Sequence, residues 1–230
     1  MSGKIRRYIR SIMERDPAAK SALEVVLFYP GFHAVMFHRM AHFFHRKGWY
    51  LIARLVSQFS RWVTAIEIHP GAIIGENLFI DHGAGVVIGE TAEVGDNVTI
   101  YQGVTLGGTG KEKGKRHPTI GSNVVISAGA KILGSFTVGD NARIGAGSVV
   151  LKPVPPNSTV VGVPGKIVVH NGRKVSGEGE AEIDLRHDLL PDQVAAVMLC
   201  MKKNIDTLQE RIEALEKKLA VKSQRAKKTV

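Results

Sequence analysis

The most regular feature of this sequence is a six-residue spacing of branched apolar residues that runs from Ile68 to Val150. An amphipathic helix repeats its apolar positions every 3.6 residues and a flat amphipathic strand every two, so neither explains this spacing. Six residues can instead form one short strand and one corner, with one branched side chain pointing inward. Three such sides close a triangular lap of about 18 residues whose strands pair with the next lap, which predicts a parallel β-helix. The inward positions are Ile68, Ile74, Ile80, Ile88, Val94, Ile100, Leu106, Ile120, Ile126, Ile132, Val138, Ile144 and Val150.

Two interruptions of the spacing mark where the chain leaves the predicted prism. The step from Ile80 to Ile88 is eight residues, and the step from Leu106 to Ile120 is fourteen. The second step leaves residues 107–119 as an external loop. Structural regularity requires neither insertion, and insertions in a repeat protein commonly gather on its working face. The candidate chemistry is therefore expected beside these two interruptions.

Residues 1–66 form a predicted helical region in front of the β-helix, which occupies residues 67–170. Apolar residues recur at helical spacing over residues 4–65, and breaks near Pro17 and at Pro30 indicate two or three helices. One predicted apolar face consists of Ile5, Ile9, Ile12 and Met13. A second row at helical spacing consists of Leu51, Leu55 and Phe59.

The C-terminal part has a different pattern. Residues 171–187 are predicted to form a polar linker, and residues 188–230 a coiled-coil helix with a basic tail. Apolar residues there alternate between spacings of three and four, which is the seam of a coiled coil and requires a partner strand. The seam residues are Met198, Met201, Ile205, Leu208, Ile212, Leu215 and Leu219.

Composition narrows the protein class. The hydrophobic share of 44% and the charged share of 23% are those of a globular protein. A single cysteine excludes an internal disulfide, and the N-terminus lacks the apolar segment of a signal peptide, so we expect a cytoplasmic protein. The net charge of +10 comes partly from the basic tail. No nucleic-acid motif accompanies that tail and no apolar run could span a bilayer, so neither nucleic acid nor a membrane is expected as a partner.

A carboxylate and an imidazole lie slightly less than one lap apart. Glu67 and His82 are separated by fifteen residues, so we expect them on neighbouring rungs of the prism. A carboxylate that accepts a hydrogen bond from one imidazole nitrogen leaves the other nitrogen as a base. In the loop, Arg116 and His117 are adjacent donors, and a guanidinium fork suits a carboxylate. A structural histidine and a solvated basic loop remain the competing interpretations.

Other histidines raise the question of a metal site. One helical face is predicted to hold His38, His42 and His45 at a spacing that could bind a metal. Packing and surface roles are favoured for them. A zinc site of three histidines, as in β-helical carbonic anhydrases, is the competing enzyme hypothesis, but His69, His82 and His117 lack that family's spacing. No metal is expected.

Several short strings together resemble one family of enzymes. These strings are Asp16-Pro-Ala, Tyr29-Pro-Gly-Phe-His33, Ile68-His-Pro70, Asp81-His82, Gly89-Glu-Thr91, Val104-Thr-Leu-Gly-Gly-Thr-Gly110, Arg116-His-Pro118, Gly145-Ala-Gly-Ser148 and Gly162-Val-Pro164. Through them the sequence resembles serine O-acetyltransferase, a hexapeptide-repeat acyltransferase, over about residues 8–170.

This resemblance implies a fold, a reaction and roles for individual residues. The fold would be an α+β chain with a left-handed β-helix, assembled as a homotrimer with active sites between subunits. The reaction would transfer acetyl from acetyl-CoA to the hydroxyl of L-serine, giving O-acetylserine for cysteine synthesis. His82 would be the general base and Glu67 the carboxylate that orients it. The substrate ammonium would bind Asp16 and Asp81, and the substrate carboxylate would bind Arg116 and His117 of a neighbouring subunit. Candidate contacts for CoA are Gly108, Ala128, Lys152 and Lys166.

Alternatives to this reading concern the acceptor and the partner. Another hexapeptide-repeat O-acyltransferase would use a sugar or homoserine as the acceptor. A catalytically weak scaffold would recruit a partner through the coiled coil. Many members of the family end in isoleucine, which enters the active site of cysteine synthase, whereas this chain ends in Val230. Cysteine synthase is therefore an open partner rather than an expected one.

Overall fold

The computed structural model describes residues 3–110 and 113–175, together with the two isolated helical positions Lys202 and Gln209. The chain divides into two compact units, Met1–Gly179 and Glu180–Val230. The predicted coiled-coil seam, the basic tail and the linker beyond residue 175 lie outside the described residues. In the described part of the chain, no helix is both long and apolar enough to cross a membrane.

Four helices precede the prism, where the sequence predicted two or three. They are α1 (Gly3–Arg15), α2 (Ala22–Phe28), α3 (Pro30–Arg46) and α4 (Tyr50–Thr64). The predicted breaks near Pro17 and at Pro30 are both confirmed. α2 ends at Phe28 and α3 begins at Pro30, where a fixed φ and a missing N–H suit the start of a helix. Gly48 has a φ of 79°, a left-handed conformation that cannot continue a helix, and it separates α3 from α4.

The helices pack on the prism through faces that the sequence predicted only in part. The predicted face of α1 belongs to the hydrophobic core or packs against it: Ile5, Ile9, Ile12 and Met13. In α4 the buried side is formed by small residues, and Ser57 donates a hydrogen bond to the carbonyl of Ile68 at 2.9 Å. The apolar row predicted in α4 is exposed in the single chain: Leu51, Leu55 and Phe59.

The six-residue period is confirmed along the whole prism. Each predicted inward residue lies in a strand, and all are buried except Ile74, which is half-buried. Fully burying a side chain of this kind stabilises the fold by about 1.5–3 kcal/mol, so the column of inward residues contributes substantially to stability. The strands are β1 (Glu67–Ile68), β2 (Ile73–Ile74), β3 (Phe79–Ile80), β4 (Val87–Ile88), β5 (Glu93–Val94), β6 (Thr99–Ile100), β7 (Thr105–Gly107), β8 (Thr119–Ile120), β9 (Val125–Ile126), β10 (Lys131–Leu133), β11 (Thr137–Val138), β12 (Arg143–Ile144), β13 (Val149–Val150), β14 (Ser158–Val161), β15 (Lys166–His170) and β16 (Arg173–Lys174).

The strands form the three faces of a triangular prism. Face A has the order β1-β4-β7-β10-β13, face B the order β2-β5-β8-β11, and face C the order β3-β6-β9-β12-β14-β15-β16. All pairings are parallel up to β14, after which β15 and β16 add antiparallel. The corner segments form three edges. These are the A–B edge (69–72, 89–92, 108–118 and 134–136), the B–C edge (75–78, 95–98, 121–124, 139–142 and 155–157) and the C–A edge (81–86, 101–104, 127–130 and 145–148).

The strand register shows where the two insertions leave the prism. The pairing of Val87 with Thr105 spans one regular lap. The pairing of Glu67 with Val87 spans a longer lap, because the first insertion adds two residues at the C–A edge. The pairing of Glu93 with Thr119 spans the longest lap, because the second insertion adds eight residues at the A–B edge. The external loop is residues 108–118, slightly shorter than predicted, since its two flanking residues belong to β7 and β8.

A column of asparagines lines the B–C edge, which the sequence analysis did not identify. Five asparagines adopt left-handed backbone there, a conformation that asparagine tolerates better than most residues. Three side-chain hydrogen bonds of 3.0–3.3 Å link neighbours in the column. Each asparagine lies three residues before an inward residue, which is the signal that could have revealed the column. Its members are Asn77, Asn97, Asn123, Asn141 and Asn157.

Candidate active site

The first insertion forms a tight turn that exposes an imidazole. His82 has a φ of 56° and Gly83 a φ of 76°, so two successive residues are left-handed, which is uncommon for a residue with a side chain. The N–H of Gly83 donates to the carbonyl of Asp81 at 2.6 Å, and a β-carbon on Gly83 would overlap the side chain of Ile66. The side chain of His82 is 76% exposed. The turn therefore holds the imidazole outside the prism at the C–A edge.

The expected contact between Glu67 and His82 is not formed within the described chain. Glu67 pairs instead with Arg61, in the last turn of α4, with 2.9 Å between Oε2 and Nη1. The nearest carboxylate to His82 is that of its neighbour Asp81, with 3.9 Å between Nε2 and Oδ1. The N–H of Gly85 donates to the carbonyl of the residue before Ile66, so the turn still lies beside the start of β1. Two features explain why the expected contact is absent. The guanidinium of Arg61 already pairs with Glu67, and the turn directs the imidazole of His82 away from the prism.

Two carboxylates converge on the same pair of tyrosines. Asp16 follows α1 and accepts a hydrogen bond from the hydroxyl of Tyr29 at 2.6 Å. Burial raises the pKa of Tyr29, and the hydrogen bond to Asp16 and the charge of Asp81 raise it further. Burial likewise raises the pKa of Tyr101, with contributions from Asp81 and Asp16. Both carboxylates therefore act on one region, around Tyr29 and Tyr101.

The end of α1 is fixed to the prism by Arg15, which sequence reasoning did not identify. Its Nη2 donates to the carbonyl of Asn77 at 2.6 Å, and its Nη1 lies 3.3 Å from the hydroxyl of Thr99. The guanidinium also stacks over the ring of Phe79, 5.3 Å from the centroid. Because Asp16 is the next residue, these contacts with face C and the B–C edge fix the backbone that carries its carboxylate.

The second insertion places Arg116 and His117 at the A–B edge, where the preceding lap holds them. The guanidinium of Arg116 forms an ion pair with Glu90. The hydroxyl of Thr91 accepts from the backbone N–H groups of Arg116, at 3.0 Å, and His117, at 3.1 Å, and lies 2.9 Å from Nδ1 of His117. The hydrogen bond from Arg116 lowers the pKa of Glu90, and burial lowers that of His117, with Arg116 adding to the effect. In the sequence, Glu90 and Thr91 stand out only as part of the motif Gly89-Glu-Thr91, which does not reveal their contacts with Arg116 and His117.

Two glycines make room for this pair. A β-carbon on Gly89 would overlap the imidazole ring of His117. A β-carbon on Gly108 would lie 3.0 Å from the carbonyl oxygen of Arg116 and 3.3 Å from Nε2 of His117. Gly108, predicted as a CoA contact, therefore packs against the Arg116–His117 pair in its own chain.

The predicted substrate residues fall into two groups at different edges of one chain. Asp81 and His82 lie at the C–A edge, with Asp16 beside them. Arg116 and His117 lie at the A–B edge, on the other side of face A. One chain therefore contains both halves of the predicted site but does not bring them together.

The candidate CoA contacts are also dispersed. Ala128 lies on the C–A edge two laps beyond His82, where its carbonyl accepts from the N–H of Gly147 at 2.9 Å. Lys152 is exposed after β13, and Lys166 is exposed at the start of β15. Of these candidates, Ala128 shares an edge with the exposed imidazole.

The helical histidines pack rather than gather around one point. His38 is buried, and burial lowers its pKa to about 3. Nδ1 of His42 lies 2.8 Å from the carbonyl oxygen of Pro70, and the ring of His45 packs edge-on to those of Tyr50 and His69. Over residues 3–110 and 113–175, no three His, Cys, Asp or Glu side chains are arranged to hold a metal ion.

Comparison with known proteins identifies the family. Residues 1–36 match the family model "Serine acetyltransferase, N-terminal", and residues 117–152 match "Bacterial transferase hexapeptide (six repeats)". The serine acetyltransferase of Bacillus pumilus is 54% identical over 210 residues, which cover 91% of this chain and 94% of that protein. This chain belongs to the serine acetyltransferase family. The resemblance seen in the motifs is confirmed.

Solved structures of serine acetyltransferases have the same fold. The enzyme of Brucella abortus in complex with coenzyme A is 49% identical, with a TM-score of 0.71 over 73% of this chain and 67% of that one. The enzyme of Neisseria gonorrhoeae in complex with serine is 45% identical, with a TM-score of 0.70 over 73% of this chain and 69% of that one. The predicted α+β fold, with helices before a left-handed hexapeptide β-helix, is confirmed.

Proposed function

We propose that this serine acetyltransferase family member transfers the acetyl group of acetyl-CoA to the hydroxyl of L-serine, giving O-acetylserine and CoA for cysteine biosynthesis. The observation that carries the proposal is the 54% identity to a serine acetyltransferase over nearly the full length of both chains. The chemistry of the site supports it. A free amino acid needs carboxylates to bind its ammonium and hydrogen-bond donors, preferably cationic, to bind its carboxylate. Asp16 and Asp81 supply the first at the C–A edge, and Arg116 and His117 supply the second at the A–B edge.

His82 is the proposed general base. Its exposed imidazole takes the proton of the serine hydroxyl while the oxygen attacks the thioester carbonyl, and collapse of the adduct expels the CoA thiolate, which takes up a proton. Glu67 is the proposed orienting carboxylate. Its ion pair with Arg61 uses Oε2, which leaves Oε1 for the imidazole once the ring turns towards β1.

Substrate binding is proposed to take place between subunits of a homotrimer. Asp16 and Asp81 bind the ammonium of serine at the C–A edge. Arg116 and His117 of the adjacent subunit bind its carboxylate from the A–B edge. A threefold ring brings the A–B edge of each chain to the C–A edge of the next, which completes three identical sites. The separation of the two groups within one chain supports this arrangement.

The CoA contacts proposed are Gly108, Ala128, Lys152 and Lys166. Ala128 extends the edge that holds His82, and the two exposed lysines offer positive charge to phosphate groups. Gly108 packs against the Arg116–His117 pair, so its backbone N–H would donate a hydrogen bond to CoA from the side of the external loop.

The organisation of the chain also remains a proposal. The helical region at residues 1–66, the β-helix at 67–170, the linker at 171–187 and the coiled coil with its tail at 188–230 are proposed as the functional divisions. A cytoplasmic location, independence of metal, nucleic acid and membrane, and the open partnership with cysteine synthase stay predictions.

The direct test is release of CoA from acetyl-CoA by the purified full-length chain, with L-serine, L-homoserine or a galactoside as the acceptor. Turnover that depends on L-serine is expected. Turnover with homoserine or the sugar alone would replace the acceptor by that of another hexapeptide-repeat acyltransferase. No turnover with any acceptor would favour a scaffold that recruits a partner.

A further inference from the structure

Thr91 lies at the A–B edge with every hydrogen-bonding capacity of its hydroxyl in use. The oxygen accepts from the backbone N–H groups of Arg116, at 3.0 Å, and His117, at 3.1 Å. A hydroxyl has two lone pairs and one proton, so its proton is left for Nδ1 of His117, which lies 2.9 Å away. One side chain therefore fixes the backbone of two consecutive loop residues and the ring of the second.

The same contacts determine where the imidazole of His117 holds its proton. The backbone N–H of Thr91 also points at Nδ1, at 3.2 Å. A nitrogen that receives two donors must present its lone pair, so the proton of the neutral ring is on Nε2. The cationic ring would place an N–H against both donors. Burial and the charge of Arg116 lower the pKa of His117 in the same sense.

The preceding residue complements Thr91. Glu90 pairs with the guanidinium of Arg116, while Thr91 holds the backbone of that residue. The carbonyl of Thr91 accepts from Nζ of Lys115 at 2.9 Å, and the same ammonium lies 2.7 Å from Glu93. Three consecutive loop residues are thus attached to the rung below them, although the loop itself is an insertion.

We propose that Thr91 is a positioning residue for carboxylate recognition: its hydroxyl fixes the Arg116–His117 backbone and the Nε2–H tautomer of His117, so that a guanidinium and a neutral imidazole donor face the substrate. This inference rests on the proposed function, in which that pair binds the carboxylate of serine. It assigns Thr91 no contact with the reacting atoms.

The kinetic test compares Thr91→Val, which keeps the branched shape and removes the hydroxyl, with Thr91→Ser, which keeps the hydroxyl. Loss of the hydroxyl should raise the KM for serine about tenfold or more, the effect of one or two hydrogen bonds, and change the KM for acetyl-CoA less than about threefold. The Ser variant should stay within about threefold of the unsubstituted chain in both. An unchanged serine KM in a folded Thr91→Val protein, shown by circular dichroism, would overturn the proposal.

A second measurement is independent of turnover and of the folding of Thr91→Val. Nitrogen-15 NMR of the unsubstituted full chain, with the His117 signals assigned by their loss in His117→Gln, should show a protonated Nε2 and an unprotonated Nδ1. A ring protonated on Nδ1 would overturn the proposal even if the kinetics agreed. If the chain fails to acetylate serine but the Nε2–H tautomer is found, the proposed function fails and the role of Thr91 in fixing the ring stands.

Discussion

Gly89 lies directly against the imidazole ring of His117, so closely that a β-carbon would overlap the ring. Gly89→Ala should therefore displace the ring from Thr91 and raise the KM for serine about tenfold or more. The measurement is the serine dependence of CoA release.

Gly95→Ala is the matched control for this substitution. Gly95 also follows an inward residue, but it lies on the B–C edge, away from His117. A β-carbon on Gly95 would meet the backbone of Gly121 at 2.8 Å. It should lower the melting temperature without changing the serine KM. Equal kinetic effects of the two alanines would show that the prism as a whole, and not the ring, is responsible.

The carboxylate of Glu67 has two possible roles, which are to orient His82 and to hold α4 on the prism through its ion pair with Arg61. Substitutions at the two residues distinguish these roles. If Glu67 orients His82, Glu67→Ala should lower turnover about tenfold or more, whereas Arg61→Met should leave turnover within about threefold, because the carboxylate remains. Steady-state kcat at saturating substrates measures both. Equal losses in the two variants would mean that Glu67 serves only to hold α4 on the prism.

Mixing two chains that are impaired in different halves of the proposed site tests whether sites are shared between subunits. His82→Ala should reduce turnover by at least about a hundredfold, and Arg116→Ala should mainly weaken serine binding. A trimer that contains both variants has one junction at which the intact C–A edge of one chain meets the intact A–B edge of the other. Random mixing at equal amounts should restore about a quarter of the original sites. Activity at low serine, measured after joint refolding, should rise accordingly.

Separately refolded variants, mixed afterwards, are the control for that experiment. They should show no gain unless subunits exchange. Recovery that is absent even after joint refolding would place the whole site within one chain.

The buried His38 predicts how stability depends on pH. Its pKa is lowered from 6.5 to about 3. Between these two pH values the unfolded chain is protonated at His38 and the folded chain is not. Stability should therefore fall as the pH drops below about 6.5 and continue to fall towards pH 3. Between pH 7 and pH 5 this residue should account for about 2 kcal/mol of the unfolding free energy.

Urea unfolding at the two pH values measures this effect. His38→Gln should flatten the pH dependence, whereas His42→Gln, in the half-buried neighbour, should alter it less. A pH dependence that is identical in the unsubstituted chain and His38→Gln would contradict the assignment.

The strands could be predicted from the sequence because one physical requirement repeats. Each side of the prism needs one branched residue facing inward, so the positions from Ile68 to Val150 locate the strands, and departures from six locate both insertions. The family motifs then supplied the candidate site residues. The boundary between α3 and α4 was missed because it depends on a single left-handed glycine, Gly48.

Side-chain partners could not be obtained in this way. The period places Glu67 and His82 on neighbouring rungs, but it does not reveal that Arg61 of α4 lies closer to the carboxylate of Glu67 than His82 does. The role of Thr91 depends on a contact that reaches across the second insertion, which only the folded pairing reveals. The exposure of Leu55 in α4 likewise depends on which side of the helix the prism occupies.

From β8 to β13 the pairing register does not change from one lap to the next. Both insertions lie earlier in the chain, so a duplicated copy of residues 125–142 would lengthen the prism without altering either of the corners that carry them. The architecture is in this sense modular: both insertions, and the candidate residues beside them, belong to the first laps, and the number of later laps can be varied independently in protein engineering.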